Sequence, residues 1–256
     1  MGPASRPPQF GSLSTRLATS AEELRASQTL RYRVFVEELG GDGPMVDHAA
    51  KLEQDAFDPI FDHLLLIDSA NGERVVGAYR LLPGDRLGPN DRFYCDGEFD
   101  LAPLRCSGRR LLELGRSCVD PAYRGGAAML LMWQGLANYA TARQIEVLFG
   151  AASFPGTDLA VLAQPLSWLH HNYLAPPELA VRAKPTTLDH ILPPELVDQR
   201  AARAAIPPLI RSYLRLGACV GAGAFVDHAF NTTDTCIILD AGRLSRHAQS
   251  LVGRTG

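Results

Sequence analysis

The 256-residue sequence contains no run of about 18 apolar residues, the length a helix needs to cross a bilayer. Its opening, "MGPASRPPQF", lacks the apolar core of a secretory signal. Together these absences set the expectation of a cytoplasmic protein. Cysteine is sparse: five residues, at 95, 106, 118, 219 and 236, an odd number without a C-x-x-C pair. That argues against a disulfide framework and against a zinc or dithiol site. No H-E-x-x-H spacing occurs, and adjacent His170 and His171 diverge around a helix, so these and His48, His63 and His228 read as hydrogen-bonding residues; no metal is expected. No basic run is interleaved with aromatics, and a formal net charge of -3 gives no general affinity for nucleic acid. No internal repeat or low-complexity tract appears.

What is present is an ordinary globular composition, 46% hydrophobic and 21% charged, sufficient for a substantial core. Residues 1–8 read as a disordered lead, 9–242 as a single domain and 243–256 as a basic tail. "FGSLSTRLAT" alternates like a strand. Ser20 and Glu23 form a capping box for a helix expected to run to the stop at Gly40 and Gly41, with Arg31, Phe35 and Glu38 on one stripe. "HLLLIDS", "NGE" and "RVVGAYRLLP" spell a hairpin. After a Gly- and Pro-rich excursion come strand "RLLELGRSCVD", helix "GGAAMLLMWQGLANYATAR", strand "IEVLFGAAS", a helix interrupted near Pro165, one late helix from Leu196 to Gly217, and strands around "ACVGAGAF" and "TCIILD". This order predicts an α/β fold with a mixed central sheet between helices.

The strand from Leu111 carries the chemistry. Glu113 and Arg116 would face opposite ways in regular β-geometry, but Gly115 between them marks a bulge that brings them to one side and opens the ladder. The alternative is a core ion pair between the two. "YRGG" then leads into a helix N-terminus, a place that suits an anion.

Strand, bulge and "VDPAYRGG" together resemble the GNAT superfamily of N-acyltransferases, which implies a GNAT-like αβα fold. That family's phosphate loop has Gly where Ala127 stands here, and Gly or Ala where Met129 stands. The departure points away from the pyrophosphate of coenzyme A and toward a single phosphodiester, the phosphopantetheine of acyl-carrier protein, received by Arg124, Gly125 and Gly126. Acyl-homoserine lactone synthases, a branch that uses this carrier, share Arg31 with Phe35, Asp55 with Asp58, Arg80, and Glu113 with Arg116. The segments "RYRVFVEELG", "FDPIFDHLLL", "GAYRLL", "FYCDGEFDLAPL", "LLELGRSCV", "FGAASFPGTD" and "VDHAFNTTD" are similar to the L-ornithine Nα-acyltransferases.

This resemblance implies an enzyme that moves a 3-hydroxyacyl chain from acyl-carrier protein to the α-amine of L-ornithine, with no bound cofactor. Aminolysis of a thioester needs a neutral amine and a donor for the oxyanion. Glu113, directly or through one water, is the candidate proton acceptor, and backbone N–H groups from Gly115 to Ser117 are candidate oxyanion donors. Arg31, Arg80 or Arg116 would clamp the ornithine carboxylate, and Asp55, Asp58 or Asp62 its distal ammonium. Cys118 reads as a small core residue. Arg105, Arg109 and Arg110, or Arg200, Arg203, Arg211 and Arg215, form rims for an acidic carrier, and the tail suits peripheral contact with anionic lipid. Other readings are acyl-homoserine lactone synthase, although no Trp lies between Leu39 and Asp42, acylation of another amino acid, and a non-catalytic carrier- or lipid-binding module.

Overall fold

The computed structural model describes residues 10–185 and 187–243; the expected lead, and the tail from 244 onward, lie outside them. The chain forms two compact units, one of residues up to Leu82 with Leu114–Arg143, the other of Pro83–Glu113 with the chain from Gln144.

The first unit begins with β1 (Leu13–Leu17) and α1 (Ala21–Arg31). The Ser20 hydroxyl accepts from the Glu23 amide, while the Glu23 carboxylate turns back to the Thr19 amide at 2.7 Å, so the cap closes one residue earlier than a standard capping box. The expected long helix does not continue as an α-helix. Tyr32–Glu38 is a π-helical segment, with the Leu39 amide bonded to Val34 O at 3.2 Å. The wider i→i+5 turn breaks the predicted stripe: Arg31 is fully buried, Phe35 packs on a core of Leu30, Val34, Leu65 and Ile67, and Glu38 reaches Arg124.

Strand β2 (Asp62–Asp68) and β3 (Arg74–Pro83) form the expected hairpin; β1 pairs antiparallel with β2, and β2 with β3. Strand β4 (Leu111–Val119) starts in the second unit and ends in the first, where the Asp120 amide after it bonds Val76 O at 2.8 Å. Helix α2 (Gly126–Ala142) packs on β1 and β2. A Cβ on Gly135 would stand 2.8 Å from Thr15 Oγ1 and 3.2 Å from a Leu64 methyl, so only glycine permits this approach. Leu64 thus faces α2 while Leu65 and Ile67 face α1, the alternation that sandwiches the sheet.

In the second unit, Leu111–Glu113 of β4 pair in parallel with Val147–Phe149 of β5 (Val147–Pro155), and the register stops at Glu113. Helix α3 (Leu159–Tyr173) runs unbroken through buried Pro165, contrary to the interruption expected from the sequence. The single late helix is in fact two, α4 (Gln199–Ala205) and α5 (Pro208–Leu216), because Pro207 and Pro208 force extended backbone at Ile206 and restart the helix. Strands β6 (Cys219–Val220), β7 (Phe225–Asp227) and β8 (Thr232–Asp240) complete the unit, with β8 antiparallel to all of β5. The fold class is the mixed α/β arrangement expected, a largely antiparallel sheet flanked by helices.

Candidate active site

The most charged interior of the first unit lies where α1, the loop before β2, β3 and the end of β4 converge. Arg31 has no exposed side-chain surface; it forks onto Asp58 through Nη1 at 2.7 Å and Nη2 at 3.1 Å, and its Nε bonds Glu53. Arg80, 1% exposed, donates from Nη1 to Asp55 at 2.6 Å and Asp58 at 2.9 Å. Arg116 donates through Nε to the second Glu53 oxygen at 3.0 Å, and its Nη2 lies 3.7 Å from Asp55 Oδ2. Three guanidiniums and three carboxylates balance one another, which is how a protein retains charges at this depth. Burial pushes the Asp58 carboxyl up, but Arg31, Arg80 and a bond from Gln28 outweigh it and hold the group well below the usual range. The same contest leaves Asp55 lowered, with Arg80 and Arg116 prevailing over burial.

Two further polar atoms face this network. Asp55 Oδ2 is buried and accepts no hydrogen bond. His63 pairs across the hairpin with Arg80; its Nε2 meets Asp58 O at 3.0 Å, and Nδ1 is buried and unbonded. Burial, with the nearby cations Arg31 and Arg80, favours the neutral imidazole. The parts of the six-residue network that reach solvent most are Arg116 and Asp55, with side chains 12% and 14% exposed.

Strand β4 is irregular at Arg116, which takes a left-handed φ of 49°, rather than at Gly115 as the sequence suggested. A side chain there is strained, by about 1 to 3 kcal/mol, and the Glu53 ion pair holds it. Glu113, 1% exposed, accepts the Tyr94 amide at 2.8 Å and the Cys95 amide at 2.6 Å within the second unit. Burial pushes the Cys118 thiol up to about 12, in keeping with a core residue.

A model of the acetyltransferase (GNAT) domain matches residues 30–134. The sequence is 58% identical to the L-ornithine N(alpha)-acyltransferase of Rhodobacter capsulatus over 91% of this chain and 92% of that one. The chain belongs to the L-ornithine Nα-acyltransferase family. It is 46% identical to the Rhizobium meliloti member, covering 93% of this chain and 83% of the relative. An N-acyl amino acid synthase from uncultured soil microbes shares the fold, with a TM-score of 0.53 at 15% identity over 93% of this chain and 97% of that one. So does a coenzyme A-dependent acyl-homoserine lactone synthase, with a TM-score of 0.53 at 15% identity over 95% and 88% of the two chains. The protein is therefore an acyltransferase, an enzyme of GNAT-like fold.

Within this acyltransferase the structure gathers Arg31, Asp55, Asp58, Arg80 and Arg116 into one network and gives Asp62, Phe35 and Arg124 contacts of their own. Asp62 accepts the Tyr139 hydroxyl at 2.6 Å and Arg143 at 3.4 Å, both from the α2 end. Phe35 is a packing residue. Arg124 is tied to Glu38 by two bonds of 2.6 Å and to Val119 O at 3.0 Å, whereas Gly125 and Gly126 open the helix with clear space where a Cβ would sit. Arg109 of the expected rim is committed to Asp240. Sequence reasoning missed Glu53, the carboxylate that joins Arg31 to Arg116; its only signal was a Glu two residues before Asp55. Among the described residues, Glu98, Asp227 and Asp234 bring ligand oxygens within 4.8 Å of one another, but an acidic trio alone does not define a cation site.

Proposed function

We propose that this enzyme transfers a 3-hydroxyacyl chain from the phosphopantetheine thioester of acyl-carrier protein to the α-amine of L-ornithine, giving lyso-ornithine lipid. The observation that carries this reading is the edge of the network, where its two most exposed members, Asp55 and Arg116, lie side by side as an ion pair at 3.7 Å, in a chain whose relatives are named for ornithine acylation. One guanidinium beside one carboxylate complements an amino acid that brings a carboxylate and a second ammonium. Arg116 takes the α-carboxylate and Asp55 the distal ammonium, while Arg31, Glu53, Asp58 and Arg80 hold both side chains in place.

Glu113, three residues before Arg116 on the same strand, accepts the α-ammonium proton directly or through one water. The neutral amine then attacks the thioester carbonyl; a C–N bond forms, the C–S bond breaks, and the sulfur departs as a protonated thiol. Backbone N–H groups between Gly115 and Ser117 serve the oxyanion, and Arg124, Gly125 and Gly126 receive the phosphodiester. An amphiphilic product calls for release at a membrane surface.

The test mixes purified protein with 3-hydroxyacyl-acyl-carrier protein and, separately, ornithine, lysine, glutamine, glycine or S-adenosylmethionine, and follows thiol release with product mass. Ornithine-dependent thiol and the mass of Nα-acyl-ornithine support the reading. Release from acyl-coenzyme A alone overturns the donor, and release with another acceptor overturns ornithine.

A further inference from the structure

Arg124, given above to the donor's phosphodiester, already holds an anion of the chain itself. Its Nη1 and Nη2 each donate to a different oxygen of Glu38 at 2.6 Å, and its Nε donates to Val119 O at 3.0 Å. A guanidinium fork meets two oxygens of a phosphodiester in the same parallel way. Arg124 holds the Glu38 carboxyl below its usual range, so the group is ionised at neutral pH. Carboxylate and phosphodiester therefore compete for one fork.

The pair is built to open. The Arg124 and Glu38 side chains are 44% and 33% exposed, and ion pairs at such exposure are weak. Glu38 also lines a groove of about 420 Å³ in the first unit, together with Leu30, Arg33, Glu37, Arg74 and Asp120. Most charges there have close partners: Arg74 donates to Asp120 at 2.7 Å, and Lys51 donates to Glu37 at 3.2 Å. Arg33 is held more loosely. Its contact with Asp120 is long, 3.5 Å, and its Nε is buried without a hydrogen-bond partner. Arg33 and Glu38 stand five residues apart in the π-helical segment, about one turn of such a helix, so a carboxylate leaving Arg124 has a second cation on its own wall of the groove.

Resting on the acyl-donor reading above, we propose that Glu38 determines how strongly the enzyme reads the donor's phosphate. Its carboxylate holds the Arg124 fork in the free enzyme, the phosphodiester displaces it, and Glu38 turns into the groove toward Arg33. Every phosphate-bearing donor thus gives up part of what Arg124 offers in breaking the pair already there.

The experiment measures, by calorimetric titration without ornithine, the dissociation constants of 3-hydroxyacyl-pantetheine and of 3-hydroxyacyl-phosphopantetheine for the full-length enzyme. The proteins are wild type, Glu38→Gln, Glu37→Gln, Arg124→Gln and the double variant Glu38→Gln/Arg124→Gln. The ratio of the two constants isolates the phosphate, because a general disturbance of the fold weakens both ligands and leaves the ratio alone. Glu37→Gln makes the same change of charge one residue away. The expected result is a preference for the phosphorylated ligand about three- to tenfold greater in Glu38→Gln than in wild type. Glu37→Gln should stay within about twofold of wild type, and Glu38→Gln should add nothing once Arg124 is replaced. A wild type that prefers the phosphorylated ligand, with the same ratio in Glu38→Gln, overturns the role of Glu38 alone. So does a gain that Glu37→Gln shares or that persists without Arg124. Equal binding of both ligands by wild type and by Glu38→Gln, or failure of both to bind, overturns the phosphate contact of the donor reading and this proposal with it.

Discussion

Replacing Glu53 with alanine should unfold the first unit at a markedly lower temperature. Glu53 has no exposed surface and bonds fully buried Arg31 and the largely buried Arg116. Removing one member of a buried ion pair costs about 3 to 5 kcal/mol, because the partner charge is left behind. Asp58 still forks onto Arg31, so the lower end, about 3 kcal/mol, applies, and for a chain of this size that lowers the melting temperature by about 6 to 12 °C. Glu37→Ala, which removes only the exposed contact with Lys51, serves as the control and should cost no more than about 1 kcal/mol. Differential scanning calorimetry reads both. Adding Arg116→Gly to Glu53→Ala should recover part of the loss, since it removes the stranded cation and relieves the left-handed backbone at the same position. A melting temperature unchanged in Glu53→Ala, or a double variant that loses the sum of the two single losses, would refute the idea that Glu53 restrains Arg116.

Asp55→Asn should raise KM for ornithine at least about tenfold, whereas Asp62→Asn, whose carboxylate serves Tyr139 and Arg143, should leave it within about twofold; equal effects would place the ammonium elsewhere. His63 is held below its ordinary pKa in the folded state, so its contribution is fully present above about pH 6.5 and is lost as pH falls toward the folded value. His63→Asn should flatten that loss in urea unfolding between pH 5 and about 7. A second decline should begin below about pH 4, where the depressed Asp55 and Asp58 start to protonate in the unfolded chain. Iodoacetamide near pH 8 should alkylate exposed Cys106 first, with buried Cys95, Cys118 and Cys236 protected in the native protein; peptide mass mapping that finds Cys118 modified early would contradict its raised pKa.

Local pattern in the sequence determined much of this protein. Alternating apolar residues around "NGE" suffice for the hairpin, "LLELGRSCV" for the strand, and the run after "YRGG" for the helix that follows, because each depends on neighbours within a few positions. The arginines and aspartates of the network could likewise be named from residue type and resemblance. Tertiary structure alone decided how they combine. Glu53 lies 22 residues from Arg31 and 63 from Arg116, so no local periodicity links them. The left-handed backbone at Arg116 lies beside that residue's ion pair with buried Glu53, and Asp62 is diverted to Tyr139, 77 residues away. A buried ion demands partners wherever the fold can supply them, and that demand overrides the local preferences from which strands and helices are read.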